Sequence, residues 1–135
     1  MTNAEVLQSY RYGLMELRAL DRQMDTLMRM SGPAGLPGGL RSPSHTNDPQ
    51  ARLSQNLTAC EEQMERTRQR LVDLTGQFEA VLTSLPDQRS RTVLRLYYAA
   101  GCTDGEIAET TGLSERTISR IRNRACARCP AASQV

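Results

Sequence analysis

The chain of 135 residues contains no lysine and no tryptophan, one phenylalanine and one histidine. Aromatics make up 4% of it, so a large aromatic core is excluded and cohesion must come from Leu, Ile, Val and Met. A lone histidine, His45, set among Gly and Pro cannot anchor a Ser/His/Asp mechanism, and no Walker loop, zinc-ligand motif or deaminase signature stands in for it. The expectation is a non-enzyme without metal or cofactor. No run approaches the ~20 apolar residues that cross a bilayer. The first residues, MTNAEVLQSY, have neither a basic segment nor an apolar stretch of the secretory kind, so the cytoplasm is the expected location and no membrane contact is expected. There, Cys60, Cys102, Cys126 and Cys129 should be reduced thiols. Cys126 and Cys129 form a C-x-x-C pair, but no second pair or histidine lies near it, so packing or surface thiols explain them better than zinc.

What charge there is lies unevenly. All seventeen basic residues are Arg, inside and outside any one segment, which fits the codon usage of a GC-rich genome better than a special role. Residues 1–84 carry nine Arg against ten acids, whereas residues 85–135 carry eight against five. Between Ser114 and Pro130 there are five Arg and a single acid, Glu115. Positive charge gathered on one segment suits a polyanionic partner.

The patterning predicts an all-α fold. Over the first 30 residues Leu7, Tyr10, Leu14, Leu17, Leu20, Met24, Leu27 and Met28 recur at steps of three and four, and Thr2 with Glu5 reads as a capping box. A Gly/Pro-rich stretch at 31–49 cannot hold a helix and is expected to be a flexible loop. Asp48-Pro49 restarts the helix. Leu53, Leu57, Cys60, Met64, Thr67, Leu71, Leu74, Phe78, Val81 and Leu85 then alternate steps of four and three until Pro86, a coiled-coil-like seam. Residues 1–84 are therefore expected to form a long helical hairpin whose seams bury each other. So few deeply buried positions favour further packing, against the C-terminal domain or a second subunit, with self-association as a homodimer preferred. Glu61, Glu62 and Glu65 read as a solvated face, with Glu62–Arg66 and Glu65–Arg68 at salt-bridge spacing.

From Leu85 the pattern changes to short helices, giving a second domain at 85–130 and a disordered tail at 131–135. Pro86 to Ala100 should be one helix with Val93, Leu94, Leu96 and Tyr97 or Tyr98 inward, ended by Gly101. Residues 104–123, DGEIAETTGLSERTISRIRN, carry the spacing of a helix-turn-helix. Thr103 and Glu106 cap its first helix, Ala108 allows a close crossing, and Gly112 fits a left-handed turn. Gly105 departs from ideal at a cost of roughly 1 kcal/mol against Ala. Ser114 caps the second helix, which should run to about Cys129, with Ile118 and Ile121 buried. Its other face presents Glu115, Arg116, Ser119, Arg120 and Asn123 as candidate base readers in a major groove. Thr103, Ser114, Thr117, Arg122 and Arg124 are the candidates for phosphates.

Leu85-Pro86 with Arg89, Leu94-Arg95-Leu96, Tyr98, Glu106-Ile107-Ala108, Gly112-Leu113-Ser114 and Thr117-Ile118 together resemble region 4 of the bacterial sigma-70 family over residues 85–125. That resemblance implies a module reading promoter −35 elements in double-stranded DNA. The whole chain resembles small prophage-encoded proteins of Gram-positive bacteria, related to regulators of late phage transcription. No segment resembles the aromatic-rich region that melts a −10 element, so a complete sigma factor is not expected. Three function classes follow: a sequence-specific transcription regulator, preferred; a phage small terminase subunit; or an interaction protein that uses the region-4 fold to bind RNA polymerase or a sigma factor.

Overall fold

The computed structural model describes residues 2–30 and 48–127. The loop expected at 31–49 lies almost wholly outside them, as do His45, Cys129, Pro130 and the tail at 131–135. Helix α1 runs Asn3–Met30. Its capping box is formed: Glu5 N donates to Thr2 Oγ1 at 3.1 Å and Thr2 N donates to Glu5 Oε1 at 2.9 Å. Helix α2 runs Pro49–Thr83 without a break, its first turn capped by Asp48, whose Oδ1 accepts from Gln50 N at 3.1 Å. Near its end Ser84 Oγ donates to the Val81 carbonyl at 2.7 Å, and Pro86 then prevents continuation.

The structure divides into two compact units. The first lies within Met15–Gln69 and pairs the later turns of α1 with the early turns of α2. The pairing is antiparallel: Cys60 Sγ donates to the Leu20 carbonyl at 3.6 Å, and Gln63 Nε2 donates to Glu16 Oε2 at 3.3 Å. Cys60, Met64 and Thr67 are buried, but Leu17, Leu20, Met24, Leu27, Leu53 and Leu57 are only half-buried. Met28, expected in the seam, is 58% exposed. A pair of helices covers each seam residue from one side, so side chains at its margins stay partly wet. On the polar face Arg68 pairs with Glu65 at 3.3 Å, while Arg66 donates to Gln63 Oε1 at 2.8 Å.

The described residues of the second unit fall within Met1–Leu14 and Arg70–Val135. It contains the first turns of α1, the last turns of α2, and three shorter helices: α3 Gln88–Leu94, α4 Asp104–Thr111 and α5 Glu115–Ala127. The single helix expected from Pro86 to Ala100 differs in two ways. It starts at Gln88, because Asp87 acts as its cap and accepts from Ser90 N at 3.4 Å and Ser90 Oγ at 3.2 Å. After Leu94 it widens into a π-helical turn over Arg95–Ala99, where Ala100 N reaches back to the Arg95 carbonyl at 3.1 Å. Gly101, at φ 78°, then reverses the chain.

Two apolar clusters hold this unit together. One joins Val6 and Leu7 of α1 with Phe78, Val81 and Leu82 of α2, and with Leu85, Leu94, Tyr98 and Ala125. Tyr10 stacks on Phe78 with ring centroids 4.3 Å apart. The other joins Val93, Ile107, Ile118 and Ile121 and is flanked by Ala108 and Leu113. The first cluster thus draws on residues from both sides of Leu85. Among the described residues there is no strand.

Candidate nucleic-acid interface

The interface is built from α4, a sharp turn and α5. Thr103 Oγ1 accepts from Glu106 N at 3.1 Å while Glu106 Oε1 accepts from Thr103 N at 2.9 Å, which fixes the first turn of α4. Gly112 adopts φ 81° and its N–H donates to the Ala108 carbonyl at 2.8 Å, a left-handed stop that a Cβ would strain. Ser114 Oγ then accepts from Thr117 N at 3.1 Å and donates to Thr117 Oγ1 at 3.0 Å, opening α5. Ile118, Ile121 and Ala125 are buried on one side of α5. With that stripe pinned, the opposite side has no freedom to turn inward.

The expected base readers fall on that opposite side. Arg116, Arg120 and Asn123 are exposed and Ser119 is half-buried, a face with helical spacing. Glu115 is exposed as well, but one carboxylate oxygen lies 3.4 Å from where a Cβ on Gly105 would stand, against the start of α4. Of the residues expected at phosphates, Thr103, Ser114 and Arg124 are exposed and Thr117 is half-buried. Thr103 and Ser114 stand at the N-termini of α4 and α5, where backbone N–H groups favour anions.

The structure gives Arg122 another partner. Its Nε donates to Asp104 Oδ1 at 3.2 Å and its Nη2 to Asp104 Oδ2 at 2.7 Å, with 20% of the side chain exposed. The guanidinium also sits 4.2 Å from the centre of the Tyr97 ring. Burial works against the Arg122 charge, yet the bonds to Asp104 prevail and hold the group above its ordinary pKa. A guanidinium so committed is not presented to solvent as Arg116 and Arg120 are. Asp104, Tyr97 and Arg11, whose guanidinium lies 4.3 Å from the same ring, carry no periodic or motif signal that marks them as a group.

Beside this cluster Tyr98 is buried with its hydroxyl 3.7 Å from Cys126 Sγ. Burial, then the contact with Cys126, pushes the phenol well above its ordinary range, so it remains neutral and serves packing. Among the described residues no group of three or more His, Cys, Asp and Glu can hold a metal ion, and no helix is long and apolar enough to cross a membrane.

Residues 81–129 match the family model for Sigma-70, region 4. Those residues are thus similar to sigma-70 region 4, and within them α4, the Gly112 turn and α5 form a helix-turn-helix. The match opens at Val81, a residue that is itself in the shared core, so the region 4-like domain includes the last turn of α2. No curated protein and no solved structure matches the chain.

Proposed function

We propose that the chain is a sequence-specific transcription regulator of the kind found in phages and prophages, reading double-stranded DNA with α5 of its region 4-like domain. The observation that carries this reading is the two-sidedness of α5: Ile118 and Ile121 are buried while Arg116, Arg120 and Asn123 stand out together. Arginine forks suit guanine and Asn suits adenine in a major groove. Arg116, Ser119, Arg120 and Asn123 would read base edges, with Glu115 at the margin. Thr103, Ser114, Thr117 and Arg124 would meet phosphates. The protein would act where the DNA is, in the cytoplasm or nucleoid.

One module offers only a few basic contacts, modest for tight binding at cellular salt. The half-buried Leu17, Leu20, Met24 and Leu27 stripe in the unit within Met15–Gln69 supports self-association, which would present two readers to two half-sites. Selection of binding sites from random duplex DNA by the full-length protein, with its mass measured in solution, tests both points. Enrichment of one motif by a dimer is expected. Ring-shaped assembly without a transcriptional motif would indicate packaging instead, and tight RNA polymerase binding with weak DNA affinity would indicate an interaction protein.

A further inference from the structure

The apolar stripe that seats α5 decides which face is buried, but being non-directional it does less to fix the exact rotation and slide of the helix. Direction needs groups with fixed geometry, and α5 has one such group on its flank. Arg122 meets Asp104 through two donors of a planar fork, at 3.2 and 2.7 Å. Asp104 is the first residue of α4, directly after the Thr103 cap. The fork therefore ties α5 to the best-fixed turn of α4.

The same guanidinium lies over the Tyr97 ring, and Arg11 of α1 lies over that ring too, at 4.2 and 4.3 Å. Arg11 Nε is buried without a hydrogen-bond partner, so the ring face is the contact that accommodates it. Two cations on one ring repel, and Asp104 neutralises one of them. Tyr97 in turn meets Tyr98 edge-on at 4.8 Å, and Tyr98 belongs to the core shared with Val6 and Leu7. For Arg122 to reach a phosphate it would have to leave both Asp104 and the ring.

We infer that Arg11, Tyr97, Arg122 and Asp104 form a positioning relay through which α1 sets the pose of the reading helix, with Arg122 acting on DNA only through α5. The inference rests on the DNA-reading role of α5, and its test separates the two. Full-length Arg122→Ala, Arg11→Ala, Tyr97→Leu and Tyr97→Phe are compared with Arg124→Ala, at a temperature where each is folded. DNA affinity is measured across a salt series, and amide hydrogen exchange of residues 115–127 is measured without DNA.

Arg122→Ala, Arg11→Ala and Tyr97→Leu should each weaken binding by about tenfold with an unchanged salt slope, and should speed exchange in α5. Tyr97→Phe, which keeps the ring, should restore both. Arg124→Ala should reduce the salt slope by about one while leaving α5 exchange as it was. A slope reduced by about one in Arg122→Ala with exchange unaltered would make Arg122 a direct phosphate ligand and overturn the relay. Wild-type values in Arg11→Ala would overturn its extension to α1. If Arg122→Ala does not fold, Arg11→Ala and the Tyr97 pair decide by the same readouts. Should the unmodified protein bind no duplex DNA, the DNA reading fails, while the exchange measurements still decide whether the relay holds α5.

Discussion

Gly13 of α1 faces Leu71 of α2 so closely that a Cβ on Gly13 would stand 2.8 Å from Leu71 Cδ2 and 3.4 Å from its Cγ. Both residues are buried, so the Leu71 side chain must shift within the seam to admit a methyl. Gly13→Ala gains roughly 1 kcal/mol of helix propensity but overpacks the seam at a typical cost of about 1–3 kcal/mol, so net destabilisation is expected. Leu71→Ala alone should cost about 2–5 kcal/mol. In the double variant the new methyl occupies part of the space Leu71 left, and the losses should be less than additive. Denaturant unfolding of the four proteins measures the coupling; additive losses would show that the contact is not tight.

Gly105 behaves oppositely. It lies in the first turn of α4 with no left-handed φ, and an added Cβ would make an ordinary contact with Glu115. Gly105→Ala should raise stability by about 0.4–1 kcal/mol by narrowing the unfolded ensemble. A loss on thermal melting would mean that Glu115 cannot move.

Arg95 and Glu79 pair through two bonds, at 2.7 and 3.1 Å, between the π-helical turn and α2. The bond to Arg95 lowers the Glu79 pKa below its ordinary 4.5. A carboxylate lowered by folding contributes stability that is full above its unfolded pKa and is lost as pH falls through the folded value. Both side chains are about half exposed, so Glu79→Gln should cost less than about 1 kcal/mol near neutrality. The gap from the unmodified protein should close below pH 4.5. A gap that persisted in acid would point to packing rather than charge.

On the reading helix, Arg116→Ala or Arg120→Ala should weaken the preferred site by about 1–3 kcal/mol and relax its sequence. Arg124→Ala should weaken all sequences alike. Binding to preferred and scrambled duplexes separates the two classes, and identical behaviour would remove the distinction between reading and anchoring.

A fragment of residues 85–135 loses Val6, Leu7, Phe78, Val81 and Leu82, which make up much of the core around Leu94, Tyr98 and Ala125. It should bind DNA far more weakly than the full chain and melt without a cooperative transition. Phe78→Ala in the full chain should cost about 3–5 kcal/mol. A fragment with a sharp melt and full affinity would show that the second cluster suffices.

Most of the helices were legible because their signals are local. Thr2 with Glu5, Asp48-Pro49, Thr103 with Glu106, and Gly112 before Ser114 each mark a boundary with side-chain chemistry that the structure displays. The unbroken α2 followed from its seam, with Thr67 buried in its expected place. The π-helical turn was not legible, since RLYYA carries no residue that demands a wider turn. Nor was the Arg122–Asp104 pair: it joins two crossing helices eighteen residues apart, and no period links such positions. Charge and spacing on α5 identified which arginines exist there. Which of them is held back from the surface depends on where α4 and Tyr97 lie.

The meeting of Val6 with Ala125 in one cluster has a consequence for biosynthesis. The two residues lie far apart in sequence, so this core cannot close until α5 has left the ribosome. The first turns of α1, made well before α5, must wait with Val6 and Leu7 uncovered. Long-range closure of this kind slows folding and lengthens exposure to aggregation. A domain whose core is completed by α1 is thereby fully folded only once α5 has been made.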